Sequence, residues 1–156
     1  MPIEATVNKV SAHKSFVNAA LKVEEVIGKL PGATFGDDCT PLEHFFGDGL
    51  YIRKMTAPKG MFNVSKLHKT THPFFILTGD VSILTEKGPI RIRGPFFGMT
   101  RAGTKRVVYF HEETVWLTVH ATKETDLKKI EDEHIAKTYE QLPEHVKQKE
   151  ALPCHT

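Results

Sequence analysis

Long hydrophobic runs are missing from this chain. Uninterrupted apolar stretches stop at four residues, as at 74–77, whereas a membrane-spanning helix takes about 20. No membrane association is expected. No basic stretch leads into an apolar one near the start, so no secretory leader is expected either. Cysteine is scarce: Cys39 and Cys154 are the two, in unlike contexts and with no CxxC spacing. That usage points to free thiols in a reducing compartment and to a cytoplasmic location. A large excess of one charge is also absent. The net charge of +2 gives no polyanion track, so nucleic acid is not expected as a partner. Internal repeats and low-complexity segments are absent too. What remains is a chain of 156 residues, 40% hydrophobic and 26% charged, which is the composition of one globular domain with a real core.

Residues 10–30 carry Phe16, Val17, Ala20, Leu21, Val23, Val26 and Ile27 at helical spacing. This predicts an amphipathic helix ended by Gly28 and Pro31. From 42 to 120 the pattern changes to short apolar runs divided by turn residues. Strands are predicted at 50–56, 61–77, 81–85, 89–93 and 96–99. Two more, 105–111 and 115–120, are expected to form a hairpin over Glu112, Glu113 and Thr114. Strands this short and closely spaced fit an all-β sandwich or barrel and argue against a parallel α/β sheet. A last helix is predicted after Thr125 as its cap, with Leu127, Ile130, His134, Ile135 and Tyr139 as its apolar stripe and Pro143 as its end. The expected division is a helix and linker over 1–41, a barrel over 42–122, and a helix and tail over 123–156.

The chemistry concentrates in 66–79. Side chains alternate along a strand, so Lys66, His68, Thr70 and His72 are expected on one face. Two imidazoles on one sheet face at a barrel mouth suit a divalent transition metal such as Zn, Fe, Mn or Ni. His120 or His111 is the candidate third ligand. Trp116, Thr118 and His120 alternate on the last strand, so an inward His120 brings Trp116 in as a pocket wall. A metal-free alternative has Lys66, Arg106 and the imidazoles holding an anion such as phosphate or carboxylate, which a guanidinium fork matches. The cations Lys66, Lys69, Arg91, Arg93, Arg101, Lys105 and Arg106 crowd the middle of the chain and favour a small anionic ligand. The plainest alternative is a set of histidines lining a non-catalytic barrel. His44 is expected in a loop, with Phe45 and Phe46 in the core.

The 66–79 segment resembles the first motif of the cupin superfamily, in which a His-x-His pair and a Glu precede a strand-closing Gly. With Gly79 as that Gly, His72 falls at the Glu position, His68 on the second His, and Lys66 in place of the first. Arg101, Ala102 and Gly103 resemble the Pro-x-Gly turn of the second motif, with Arg106 where its His is expected. The resemblance implies a double-stranded β-helix (a jelly roll) with short terminal helices. It also implies a metal or anion pocket for a small molecule and a homodimer. The run 103–116, with His120 and 124–127, is similar to small cupin-like proteins encoded by tailed bacteriophages. That likeness implies a phage origin, with the host cytoplasm or the virion as location, and no activity. A metal-dependent enzyme on a small phosphorylated or oxygenated substrate, or a virion module with a vestigial pocket, are the alternatives.

Overall fold

Short strands with alternating apolar residues need two sheets to bury one face each. The chain supplies them, as a computed structural model shows for residues 3–34 and 40–147, with side chains described from residue 11 onward. Cys39 and Cys154 lie outside those residues. Helix α1 (Ile3–Ile27) precedes strands β1 (Leu42–Gly47), β2 (Leu50–Ala57), β3 (Phe62–Val64), β4 (Leu67–His68), β5 (His72–Thr78), β6 (Asp80–Thr85), β7 (Gly88–Arg93), β8 (Phe96–Thr100), β9 (Val107–Phe110) and β10 (Thr114–Ala121). Helix α2 (Leu127–His134), strand β11 (Ile135–Ala136) and helix α3 (Glu144–Lys147) follow.

One sheet runs β1-β2-β10-β5-β8 and the other β3-β9-β6-β7. All pairings are antiparallel. From β2 on, successive barrel strands pass back and forth between the two sheets, except that β6 and β7 form a hairpin within the second sheet. This strand order is the jelly roll, and the expected double-stranded β-helix is therefore present. Its core joins Phe74, Ile76 and Trp116 from one sheet to Val81, Ile83, Val108 and Phe110 from the other. A second cluster packs Val17 of α1 on Leu67, Ala136, Tyr139, Leu142 and Val146. Through it the terminal helices clamp one end of the barrel.

Several boundaries differ from the sequence reading. Residues 61–77 are three strands, not one, because the chain leaves the ladder at Ser65 and Lys66 and again at 69–71. The 105–120 hairpin does not form. Strand β9 pairs with β3 and β6, while β10 pairs with β2 and β5. A crossing at 111–113 lets Phe110 and Trp116 enter the core from opposite sheets, which a hairpin would forbid. The α2 cap is Asp126, not Thr125: its carboxylate accepts from the Lys128 and Lys129 amides. Helix α2 also stops at His134, well before Pro143, because Ile135 and Ala136 pair with His68 and Leu67. Phe45 and Phe46 are 47% and 45% exposed rather than core, and His44 sits on β1, not in a loop.

Candidate metal centre

His72 opens β5 on its inward face, beneath Thr100 of β8. His120 is inward on β10, two residues after Thr118 and four after Trp116. His68 closes β4, and Gly103 of the turn after β8 donates its amide to the His68 carbonyl at 2.8 Å. Ala102 donates its amide to Thr71 Oγ1 at 3.1 Å, so the 101–103 turn braces the whole 68–71 bend. Strand alternation alone therefore does not bring the imidazoles together. The bend between β4 and β5 and the neighbouring strand β10 do.

Ring centroids are 4.3 Å apart for His68 and His72, 4.3 Å for His72 and His120, and 5.6 Å for His68 and His120. One nitrogen from each lies within 4.8 Å of the other two. His72 and His120 are buried, and His68 keeps part of its surface open to the adjoining cavity. Burial, which disfavours the imidazolium, lowers His72 to about 4 and His120 to about 3. His68 is held well below its ordinary value by the same burial and by its two histidine neighbours. All three are neutral at pH 7 and so carry nitrogen lone pairs, the state a metal requires.

The surroundings test the fit further. His72 Nδ1 donates to the Thr70 carbonyl at 3.2 Å, which leaves Nε2 as the lone-pair nitrogen. A backbone carbonyl on the far ring nitrogen is a common way of orienting a metal-binding imidazole. The Nδ1 atoms of His68 and His120 are buried with no partner among the described residues, and such orphans are rare unless something is missing beside them. The three histidines thus fit as ligands of a divalent transition metal.

A cavity of about 710 Å³ adjoins the cluster, with His68, His72, Arg53, Arg106 and Trp116 in its wall. Trp116 stacks on Phe74 at 5.0 Å. The Arg106 guanidinium lies over the same Phe74 ring at 5.0 Å and donates to Thr100 Oγ1 at 3.1 Å. Lys66 also borders the cavity, with its ammonium on Glu131 of α2 at 2.6 Å. His111 is elsewhere: its Nε2 is 2.7 Å from Ser82 Oγ, and it is not in the cluster. Two residues escaped the sequence reading as site residues. Arg53 carried no motif. His134 stood out only as a polar residue on an apolar helical stripe, and its ring is 5.1 Å from that of His120.

No protein-family model and no curated protein matches this chain. Solved structures do. A cupin superfamily protein from Desulfitobacterium hafniense is 13% identical, with a TM-score of 0.47 over 60% of this chain and 90% of its own. A cupin-2 domain protein from Shewanella frigidimarina is 10% identical, with a TM-score of 0.44 over 52% and 79%. A cupin-2 barrel protein from Salinispora arenicola is 10% identical, with a TM-score of 0.45 over 58% and 82%. All three are from bacteria, and nothing in them shows a phage link. At such identities and TM-scores the likeness carries no functional argument, and the double-stranded β-helix stands on the chain's own strand order.

Proposed function

We propose that this chain is a small-molecule-binding barrel whose pocket is built around one divalent transition metal held by His68, His72 and His120. The observation that carries the reading is the convergence of three neutral imidazoles, two of which, His68 and His72, line a cavity large enough for a metabolite-sized guest. Such a metal would supply Lewis acidity to an oxygen-bearing ligand. Arg106, held by Phe74 and Thr100, presents a guanidinium to the same space and favours an anionic guest such as a carboxylate or phosphate. Lys66 adds positive potential from the rim while bridging to Glu131. Trp116 forms the apolar wall.

Self-association belongs to the same reading. The outward face of the five-stranded sheet sets Phe75 beside Phe97 and Leu117 in register. Phe97 is 74% exposed, Met99 51% and Leu77 47%. A contiguous apolar face of this kind fits a twofold partner.

Calorimetric titration of metal-free protein with Zn²⁺ at pH 7 tests the metal assignment. One ion per chain, lost in His68→Ala, is expected. No binding, or binding unchanged in His68→Ala, overturns it.

A further inference from the structure

Next to the main cavity, α2 borders a second, much smaller recess, a chamber of about 50 Å³ that shares Arg53, Lys66 and His68 with the main cavity's wall. Its polar lining includes Arg53, Lys66, His68, His120, Glu131 and His134. Of the buried side-chain polar atoms without a hydrogen-bond partner among the described residues, His134 Nε2 borders this recess and is not used by the metal reading; Glu133 Oε2, at 3.9 Å, is beyond hydrogen-bond reach. A buried polar group without a partner costs roughly 1–3 kcal/mol, so His134 Nε2 beside this space points to a guest. A water needs roughly 10–15 Å³ of such space and two to four polar partners, and the chamber offers both.

His134 is also wired to the other ligand. Its Nδ1 is hydrogen-bonded to Thr70 Oγ1 at 2.9 Å, and the Thr70 carbonyl is the acceptor for His72 Nδ1. The Lys69 amide donates to the His134 carbonyl at 2.7 Å, and Ile135 pairs with His68. One residue of α2 therefore borders all three candidate ligands: His72 through Thr70, and His68 and His120 across the chamber.

We propose that the chamber is a built site for ordered water linking His134 Nε2 to the cluster, and that His134 thereby acts as a positioning residue for the metal site. This rests on the metal reading above. It makes the C-terminal helix a working part of the site rather than a cover. His134 itself stays outside the group of nitrogens that lie within reach of one ion, so its action passes through water and through Thr70.

Two measurements on the full chain test it. The first is Co²⁺ affinity by chelator competition, together with the Co²⁺ absorption spectrum, for wild type, His134→Leu and His134→Gln. His134→Leu is expected to loosen Co²⁺ by roughly 10- to 100-fold, as outer-shell replacements do, and to shift the spectrum. His134→Gln, whose amide still bonds to water, is expected to restore most of both. A His134→Leu protein that melts like wild type and binds Co²⁺ unchanged overturns the proposal and leaves the metal reading standing. Wild type that binds no Co²⁺ removes both. The second measurement needs no variant and decides the matter should His134→Leu fail to fold. A crystal structure is expected to show water within hydrogen-bond distance of His134 Nε2, and a dry chamber overturns the proposal.

Discussion

Acidification of the metal-free protein is the perturbation whose size follows most directly from the site. His72 is lowered to about 4 and His120 to about 3, against an ordinary value of 6.5. In both, burial is the leading cause. The folded state therefore binds fewer protons than the unfolded state between those values and 6.5, and stability rises with pH across that window. Above pH 6.5 both states hold neutral imidazoles and nothing is lost. At pH 5 the unfolded chain has protonated its histidines while the folded chain has not. The difference is 1.5 pH units per residue, or roughly 2 kcal/mol each at 1.36 kcal/mol per unit. His72 and His120 together give about 4 kcal/mol, and His68 and His134 act in the same direction. That is a large part of the 5–15 kcal/mol typical of a domain. Asp80, lowered mainly by its hydrogen bonds to Arg91, has an ordinary value of 3.8, and its contribution is lost only at more acid pH. Urea unfolding of chelator-treated protein at pH 7.5, 6 and 5 reads the effect. A loss near 4 kcal/mol by pH 5, reduced by about 2 kcal/mol in His72→Gln, is expected. Stability that stays flat over this range would refute the burial of neutral imidazoles.

Other consequences are read by simple assays. Gly79 has φ +110°, and a Cβ there would lie 2.7 Å from Thr114 Cα, so Gly79→Ala should cost roughly 2–5 kcal/mol in urea unfolding. Gly79→Ala as stable as wild type would show that the β5–β6 turn is not so tightly set. Phe97→Asp places a charge on the apolar outer face and should convert a dimer to a monomer by light scattering, with the thermal midpoint of the barrel little changed. A mass unchanged between the two proteins removes the sheet-face contact. Arg106→Met should abolish most of the thermal stabilisation that millimolar phosphate or small carboxylates give the metal-loaded protein. An undiminished response would take Arg106 out of ligand binding.

Local patterns were legible in the sequence, and long-range partners were not. Turn residues at Gly88 and at Gly94–Pro95 marked β6, β7 and β8 to within a residue or two, because a turn is written in adjacent positions. The strand ends beside 111–113 were also close, yet their pairing was misread. Nothing between Phe110 and Thr114 says that β9 will find β3 and β6 while β10 finds β2 and β5. His68, His72, His120 and Trp116 were readable as a group from their spacing and inward parity. The bend at 69–71 that orients His68 was not, since its bracing comes from Ala102, Gly103 and α2. Lys66 illustrates the same limit: its partner Glu131 is 65 residues away. His134 was visible as a polar interruption of an apolar stripe, but only the fold shows that the stripe ends beside the cluster.

Anomalous diffraction from crystals of tag-free protein, recorded at the absorption edge of whichever metal elemental analysis finds, tests the central claim most directly. A single strong peak bonded to His68, His72 and His120 is predicted, at roughly 2.0–2.1 Å from each nitrogen if the ion is zinc. Metal density placed elsewhere, or none in crystals grown with excess metal at neutral pH, would contradict it.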